Sequence, residues 1–250
     1  MAITIKSERE ISLMREAGKV LAEVHNKLGE MIAPGITTLD IDRKGEQLIR
    51  KAGCIPSFLN YEGYPASICV SVNDEVVHGI PTDKRRLEEG DIVSLDAGVI
   101  YQGYHSDAAR TYGVGTIHEE DQRLIDITKQ SFYEGIRMAR AGNHLHDISA
   151  TIQKFVESHG FSVVRDLVGH GIGTKLHEEP QIPNFKPAGR GPKLRPGMTL
   201  AIEPMVNAGD WEIWILEDDW TVVTRDHSNS AHYENTVLIT DGEPELLSLI

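Results

Sequence analysis

Asp91-Ile-Val-Ser-Leu-Asp-Ala-Gly-Val-Ile100 and His105-Ser-Asp-Ala-Ala-Arg-Thr-Tyr-Gly-Val114 are the two stretches on which the fold turns. Both are strand-like, and Tyr101-Gln-Gly-Tyr104 joins them. They read as the arms of a β-hairpin, and hence as antiparallel strands. With the turn centred between Tyr101 and Gln102, Asp96 faces Asp107 across the pair. Directly opposed residues share a face about 5 Å apart, and like charges there are destabilising. A divalent cation between them is the economical remedy. A register one residue different would instead send the two carboxylates to opposite faces, as solvated side chains.

Outward from the hairpin one pattern occurs twice. Ser7-Glu-Arg-Glu10 has capping-box spacing. After it Ile11, Met14, Ala17, Leu21, Val24 and Leu28 recur at helical intervals, and Pro34-Gly35 closes the segment. Further helices are predicted near Leu39–Ala52, with Gly53 past the end, and at Glu119–Ala141 and Leu145–Ser158, where His159-Gly160 follows. Other strand-like runs are Ser67–Val72, Thr199–Val206, Thr221–Thr224 and Tyr233–Thr240. Helices in pairs followed by strands in groups predict an α+β fold with antiparallel strands and two similar halves. No fixed short period suggests a solenoid. Lys186–Pro196 reads as a surface loop.

The chain has 250 residues, 40% of them hydrophobic, enough for a sizeable core. No run has the eighteen or so apolar residues of a membrane span. The opening Met1-Ala-Ile-Thr-Ile-Lys6 lacks the marks of a secretory signal. Cys54 and Cys69 could form at most one bridge, and reduced thiols in a cytoplasm are expected. A net charge of −13 argues against a nucleic-acid partner and serves solubility.

Leu167-Val-Gly-His-Gly-Ile-Gly-Thr-Lys-Leu-His177 sets two imidazoles among three glycines. Each glycine costs a helix roughly 1 kcal/mol against alanine, so the stretch is expected as a loop or strand edge lining a site. Glu203 interrupts the apolar run Met198–Val206, and Glu234 sits in His232-Tyr-Glu-Asn-Thr-Val-Leu-Ile239. Buried carboxylates are rarely left unpaired. Each alone could be bonded to an arginine or lie at an exposed strand end. Together Asp96, Asp107, Glu203 and Glu234 carry four negative charges, which two divalent ions would balance, with His170 adding one nitrogen. An oxygen-rich shell with one imidazole suits Mn, Fe, Co or Zn in a reactive site better than a closed structural zinc. Two such ions sharing a water lower its pKa and make hydroxide available at neutral pH.

At these residues the chain resembles the type I methionine aminopeptidases of the bacterial kind, in the M24 metallopeptidase family. The matching motifs are Tyr61-Glu-Gly-Tyr-Pro65, Ser71-Val-Asn-Asp-Glu-Val-Val-His-Gly-Ile-Pro81, the spacing of Asp96 and Asp107, Gly169-His-Gly-Ile-Gly173 with His177-Glu-Glu-Pro180, Ile202-Glu-Pro-Met205 and Tyr233-Glu-Asn-Thr236. The resemblance covers nearly the whole chain. It implies the pita-bread fold, with two pseudo-symmetric halves, a curved antiparallel sheet and helices outside, as one catalytic domain over residues 1–250. It implies Asp96, Asp107, His170, Glu203 and Glu234 as ligands of two divalent ions. It places His78 and His177 near the metals without binding them.

The resemblance further implies removal of the initiator methionine from nascent polypeptides, a bridging hydroxide attacking the scissile carbonyl. Glu203 would help move protons. His177 would donate to the developing oxyanion. His78 would contact the scissile amide or the next residue's backbone; by itself it could equally be a turn histidine before Gly79. Phe58, Tyr61, Tyr64, Cys69, Leu176 and Trp220 are the expected methionine pocket, though core packing would explain each separately. Small second residues are expected, and Met1-Ala2 of this chain would itself qualify. Leu176 stands where many relatives have an aromatic residue, Gly98 where Thr is frequent, and Leu167 and Phe185 are less usual. A slightly roomier pocket is expected. A prolidase or aminopeptidase P shares the fold and ligands but carries a substantial N-terminal domain, for which a first helix starting near Ser7 leaves no room. A binding protein without catalysis would have lost ligands, and a phosphoesterase would need a basic clamp. A monomer is expected. The physiological metal and ribosome contact stay open.

Overall fold

The computed structural model describes residues 2–249. Its first half runs α1 (Glu8–Gly29), α2 (Thr38–Lys51), β1 (Ile55–Pro56), β2 (Ile68–Val72), β3 (Glu75–Val77), β4 (Ile92–Tyr101) and β5 (Tyr104–Gly113). The second begins with α3 (Glu119–Ile136) and α4 (Leu145–Ser158). It continues with β6 (Ser162–Val163), β7 (Val168–Gly171), β8 (Glu178–Pro183), β9 (Thr199–Ile202) and β10 (Met205–Asn207). It ends with β11 (Ile213–Ile215), β12 (Val222–Thr224), β13 (Ser230–His232), β14 (Asn235–Leu238) and β15 (Glu245–Leu246). All strand pairs are antiparallel. This is the pita-bread architecture.

Local chemistry sets the helices. The Ser7 hydroxyl accepts from the Glu10 N–H, and the Glu10 carboxylate accepts from the Ser7 N–H. Thr37 and Asp40 do the same for α2. Ala17, Leu21, Val24 and Leu28 of α1 and Ile41 and Ile49 of α2 are buried with Val93, Leu95 and Ala108 of the hairpin. Leu124 and Phe132 of α3 and Ile148 and Ile152 of α4 are buried with Leu200, Ile202 and Val237. Each such side chain gains roughly 1.5–3 kcal/mol on leaving water. Each helix pair therefore covers its own sheet. Helix α3 stops five residues short of Ala141. Met138 and Ala139 donate to the carbonyls of Gly135 and Ile136, and Gly142 at φ 95° turns the chain into α4.

The hairpin register corrects the expected one. Tyr101 pairs with Tyr104, Asp96 with Ala109 and Gly98 with Asp107. The turn is Gln102-Gly103, at φ 48° and 85°, and a two-residue turn of this kind needs positive φ at both positions. Moving the centre by one residue moves each partner by two. Asp96 and Asp107 are therefore diagonal neighbours rather than opposite, and still share a face.

The glycine–histidine stretch is also corrected. Residues 168–171 form β7, an interior strand between β9 and β8. A Cβ on Gly169 would lie 2.4 Å from the Ala201 carbonyl oxygen, and one on Gly171 2.2 Å from that of Glu179. Glycine here admits neighbouring backbone on both sides. The run Thr199–Val206 breaks at Glu203-Pro204, where proline removes a ladder donor.

The halves are joined beside these breaks. Glu234 donates to the Ala109 carbonyl at 3.0 Å. The Thr236 hydroxyl accepts from the Asp107 N–H at 2.8 Å. Arg110 bonds the Glu234 carbonyl and, at 2.6 Å, the Asn235 side-chain oxygen. Leu247 donates to the Thr236 carbonyl, and its own carbonyl lies so close to α1 that a Cβ on Gly18 would be 1.9 Å from it. Cys54 and Cys69 are buried free thiols. No helix of the described residues is long and apolar enough to cross a membrane.

Candidate metal centre

Five expected ligands converge where the halves meet. Asp96 projects from β4, Asp107 from β5 and His170 from β7, while Glu203 follows β9 and Glu234 precedes β14. Ligand atoms of Asp107, His170 and Glu234 all lie within 4.8 Å of one another. His170 Nε2 is 3.5 Å from Glu203 Oε1 and 3.9 Å from Asp107 Oδ2. His170 Nδ1 lies 2.9 Å from the Gly171 carbonyl oxygen. A carbonyl can only accept, so Nδ1 carries the hydrogen and Nε2 offers its lone pair to the carboxylates.

The carboxylates are one another's main charged neighbours. Asp107 feels Asp96 and Glu203, and Glu234 feels Asp107, Glu203 and Asp96. Burial raises Asp96 to about 7, opposed by a hydrogen bond with Asp107. Burial and mutual repulsion hold Asp107, Glu203 and Glu234 well above the ordinary carboxylate range. Burial lowers His170 to about 3, so its ring is neutral. Asp96 Oδ1 and Glu234 Oε1 are buried without a hydrogen-bond partner. Orphaned acceptors, excess acidity and a neutral imidazole are the environment a divalent cation relieves. The donor set fits one.

The chain matches the metallopeptidase family M24 over residues 12–241. It belongs to that family. A methionine aminopeptidase of Clostridium perfringens is 57% identical over 248 residues, with 99% of each chain covered. The crystal structure of a methionine aminopeptidase from Thermotoga maritima superposes with a TM-score of 0.98 at 46% identity, with 100% of both chains covered. A prolidase from Pyrococcus furiosus shares the fold, with a TM-score of 0.80 at 23% identity; the match covers 98% of this chain and 65% of that one. The resemblance read from the motifs is to the right family, and this M24 enzyme uses divalent metal.

Beside the candidate ligands of the M24 enzyme lies a cavity of about 160 Å³. Phe58, Tyr61, Tyr64, Cys69, Leu176 and Trp220 line it, and so do His78, His177 and all five candidate ligands. Tyr64 meets Trp220 edge to face at 5.1 Å and donates to the Gly79 carbonyl at 2.8 Å. His78, next to Gly79, sits at φ 60°, a strained conformation for a non-glycine residue. Burial lowers His78 to about 4 and also lowers His177, so both rings are neutral near pH 7. His177 stacks edge-on against His170 at 4.3 Å, and its Nδ1 lies 2.9 Å from the Tyr61 hydroxyl. Gly98 has a local reason: a Cβ there would lie 2.6 Å from Ser57 Cβ and 2.9 Å from Phe58 Cε1. Leu176 is 2% exposed, inside the wall.

Two lining or neighbouring residues were not singled out from the sequence. Glu62 lines the cavity. His232 is buried with Nε2 4.0 Å from Glu203 Oε2 and 3.9 Å from Glu234 Oε2. The signal was available, since residues two apart in extended chain share a face and His232 stands two before Glu234.

Proposed function

We infer that this M24 enzyme removes methionine from the N-termini of nascent proteins and peptides, with preference for a small second residue. The observation that carries the reading is the joining, in one small cavity, of an orphaned acidic cluster to an apolar wall with two neutral imidazoles. Four carboxylate charges favour two ions, drawn from Co, Mn, Fe or Zn, held by Asp96, Asp107, His170, Glu203 and Glu234. Divalent ions in such a shell activate water and polarise a carbonyl.

The chain's own groups do the rest. Asp96, Asp107, His170, Glu203 and Glu234 would hold the ions that take up the free α-amine. His177 donates a hydrogen bond to the oxygen of the scissile carbonyl, where charge develops. Glu203 carries protons between nucleophile and leaving amine. His78 contacts the scissile amide or the backbone beyond it. Phe58, Tyr61, Tyr64, Cys69, Leu176 and Trp220 enclose the methionine side chain, whose polarizable sulfur favours aromatic surroundings. Residues 1–250 act as one catalytic domain, as a monomer in the cytoplasm, where buried free thiols are at home. A nascent-chain substrate makes ribosome contact worth testing by co-sedimentation.

The test is hydrolysis of Met-Ala, Met-Gly and Met-Ser peptides against peptides with bulky second residues, and against X-Pro peptides lacking methionine. Chelation should stop release of methionine, and Co or Mn should restore it. Comparable turnover of X-Pro peptides without methionine, or of bulky N-terminal residues, would overturn the assignment.

A further inference from the structure

His232 ends β13 and has no part in the chemistry above. It is 2% exposed, and neither ring nitrogen has a hydrogen-bond partner. A buried polar group left in that state requires a reason. Its Nε2 points at two candidate ligands, 4.0 Å from Glu203 Oε2 and 3.9 Å from Glu234 Oε2. Those separations exceed a hydrogen bond. They are also too short for a bridging water, because two bonds of about 2.8 Å at a tetrahedral angle span about 4.5 Å. Direct contact needs a movement of only about 1 Å. An ionised carboxylate is the stronger and closer acceptor, and a bound cation keeps the carboxylates ionised. Of the two, Glu203 is the less anchored. It lies past the end of β9, and its side chain is 13% exposed against 3% for Glu234.

We propose that His232 is a positioning residue of the metal centre: Nε2–H donates to the Glu203 carboxylate and holds it in its metal-binding orientation. The proposal rests on Glu203 being a ligand. Partners of this kind orient metal-binding carboxylates, and their loss typically costs about 10- to 100-fold in metal affinity.

The test is titration of the full-length, metal-free protein with Co(II), followed by calorimetry and visible absorption. His232→Leu should weaken the tighter Co(II) site about 10- to 100-fold. His232→Gln, whose amide nitrogen reaches the same point, should recover most of that loss. His232→Asn, which is too short, should resemble His232→Leu; should the leucine variant fail to fold, the Gln-against-Asn contrast carries the test. Wild-type affinity in His232→Leu, or equal loss in His232→Gln and His232→Asn, overturns the proposal. So does loss of one nitrogen donor from the Co(II) shell of saturated His232→Leu, read by X-ray absorption, which would make His232 a ligand itself. Glu203→Gln separates the two readings: undiminished Co(II) affinity there would break the ligand assignment, whatever His232 does.

Discussion

The two halves share a plan and supply the candidate metal centre in different ways. In the first, Asp96 and Asp107 stand inside an unbroken ladder of two ten-residue strands, and register alone fixes their spacing. In the second, Glu203 and Glu234 stand where pairing stops, beside Pro204 and between β13 and β14. Those positions are held from outside. Asn184 donates to the Glu203 carbonyl at 2.9 Å, and Ala109 and Arg110 of the first half bind the backbone of Glu234. A regular ladder gives placement without further support. A broken one aims a side chain off the sheet and then needs neighbours to keep it there.

The largest test of this contrast is removal of charge. Asp107→Asn should lower methionine release by roughly 10³-fold or more, since metal-assisted stabilisation is worth several kcal/mol. Metal content should fall with it. Should Asp107→Asn keep full activity while Glu203→Gln loses it, the ladder half is scaffold only. His177→Ala comes next: loss of one oxyanion donor should reduce kcat about 10²-fold, with KM for Met-Ala peptides little changed. A rise in KM alone would assign the ring to binding.

A smaller pair of effects compares glycines across the halves. Gly98→Ala presses on the side chains of Ser57 and Phe58 and should cost about 1–3 kcal/mol in denaturant unfolding. Gly169→Ala presses on the Ala201 carbonyl, which has less room to yield, and should cost more. The reverse order would mean that β7 is the softer region.

The smallest effect is one of pH. The raised carboxylates bind more protons folded than unfolded and favour the folded state as pH falls. His25, His78, His170 and His232, lowered by burial to about 3 or 4, act oppositely below about pH 6.5. Above about pH 7 the unfolded histidines are already neutral, while Asp96, raised to about 7, is still losing its proton in the folded state, and the thiols of Cys54 and Cys69, raised by burial, act in the same direction toward pH 9. Tm of the metal-free protein should therefore fall from about pH 7 to 9, and saturating Mn or Co should flatten the slope. A rising Tm over that range would show the cluster already ionised.

Much of this was legible in the sequence because it follows from local chemistry. Ser7 and Glu10 announce α1, and three glycines exclude a helix around His170. The candidate ligand carboxylates stand out as charges in apolar strands. The register differs from the expected one because Gln102-Gly103 forms the turn, a geometry that a glycine in second place fits. Whether β7 lay at an edge could not be read, because burial between β8 and β9 is set by residues far along the chain. The aromatic wall had no local signature: Phe58, Tyr64 and Trp220 look like core until the cavity brings them together, and only the family resemblance singled them out.

The contact of Leu247 with Gly18 bears on how the molecule is made. Helix α1 is made well before the backbone that seats against it, which follows far along the chain. The N-terminal half therefore cannot finish its packing during synthesis. Helix α1 reaches its final packing only once the residues around Leu247 have been made.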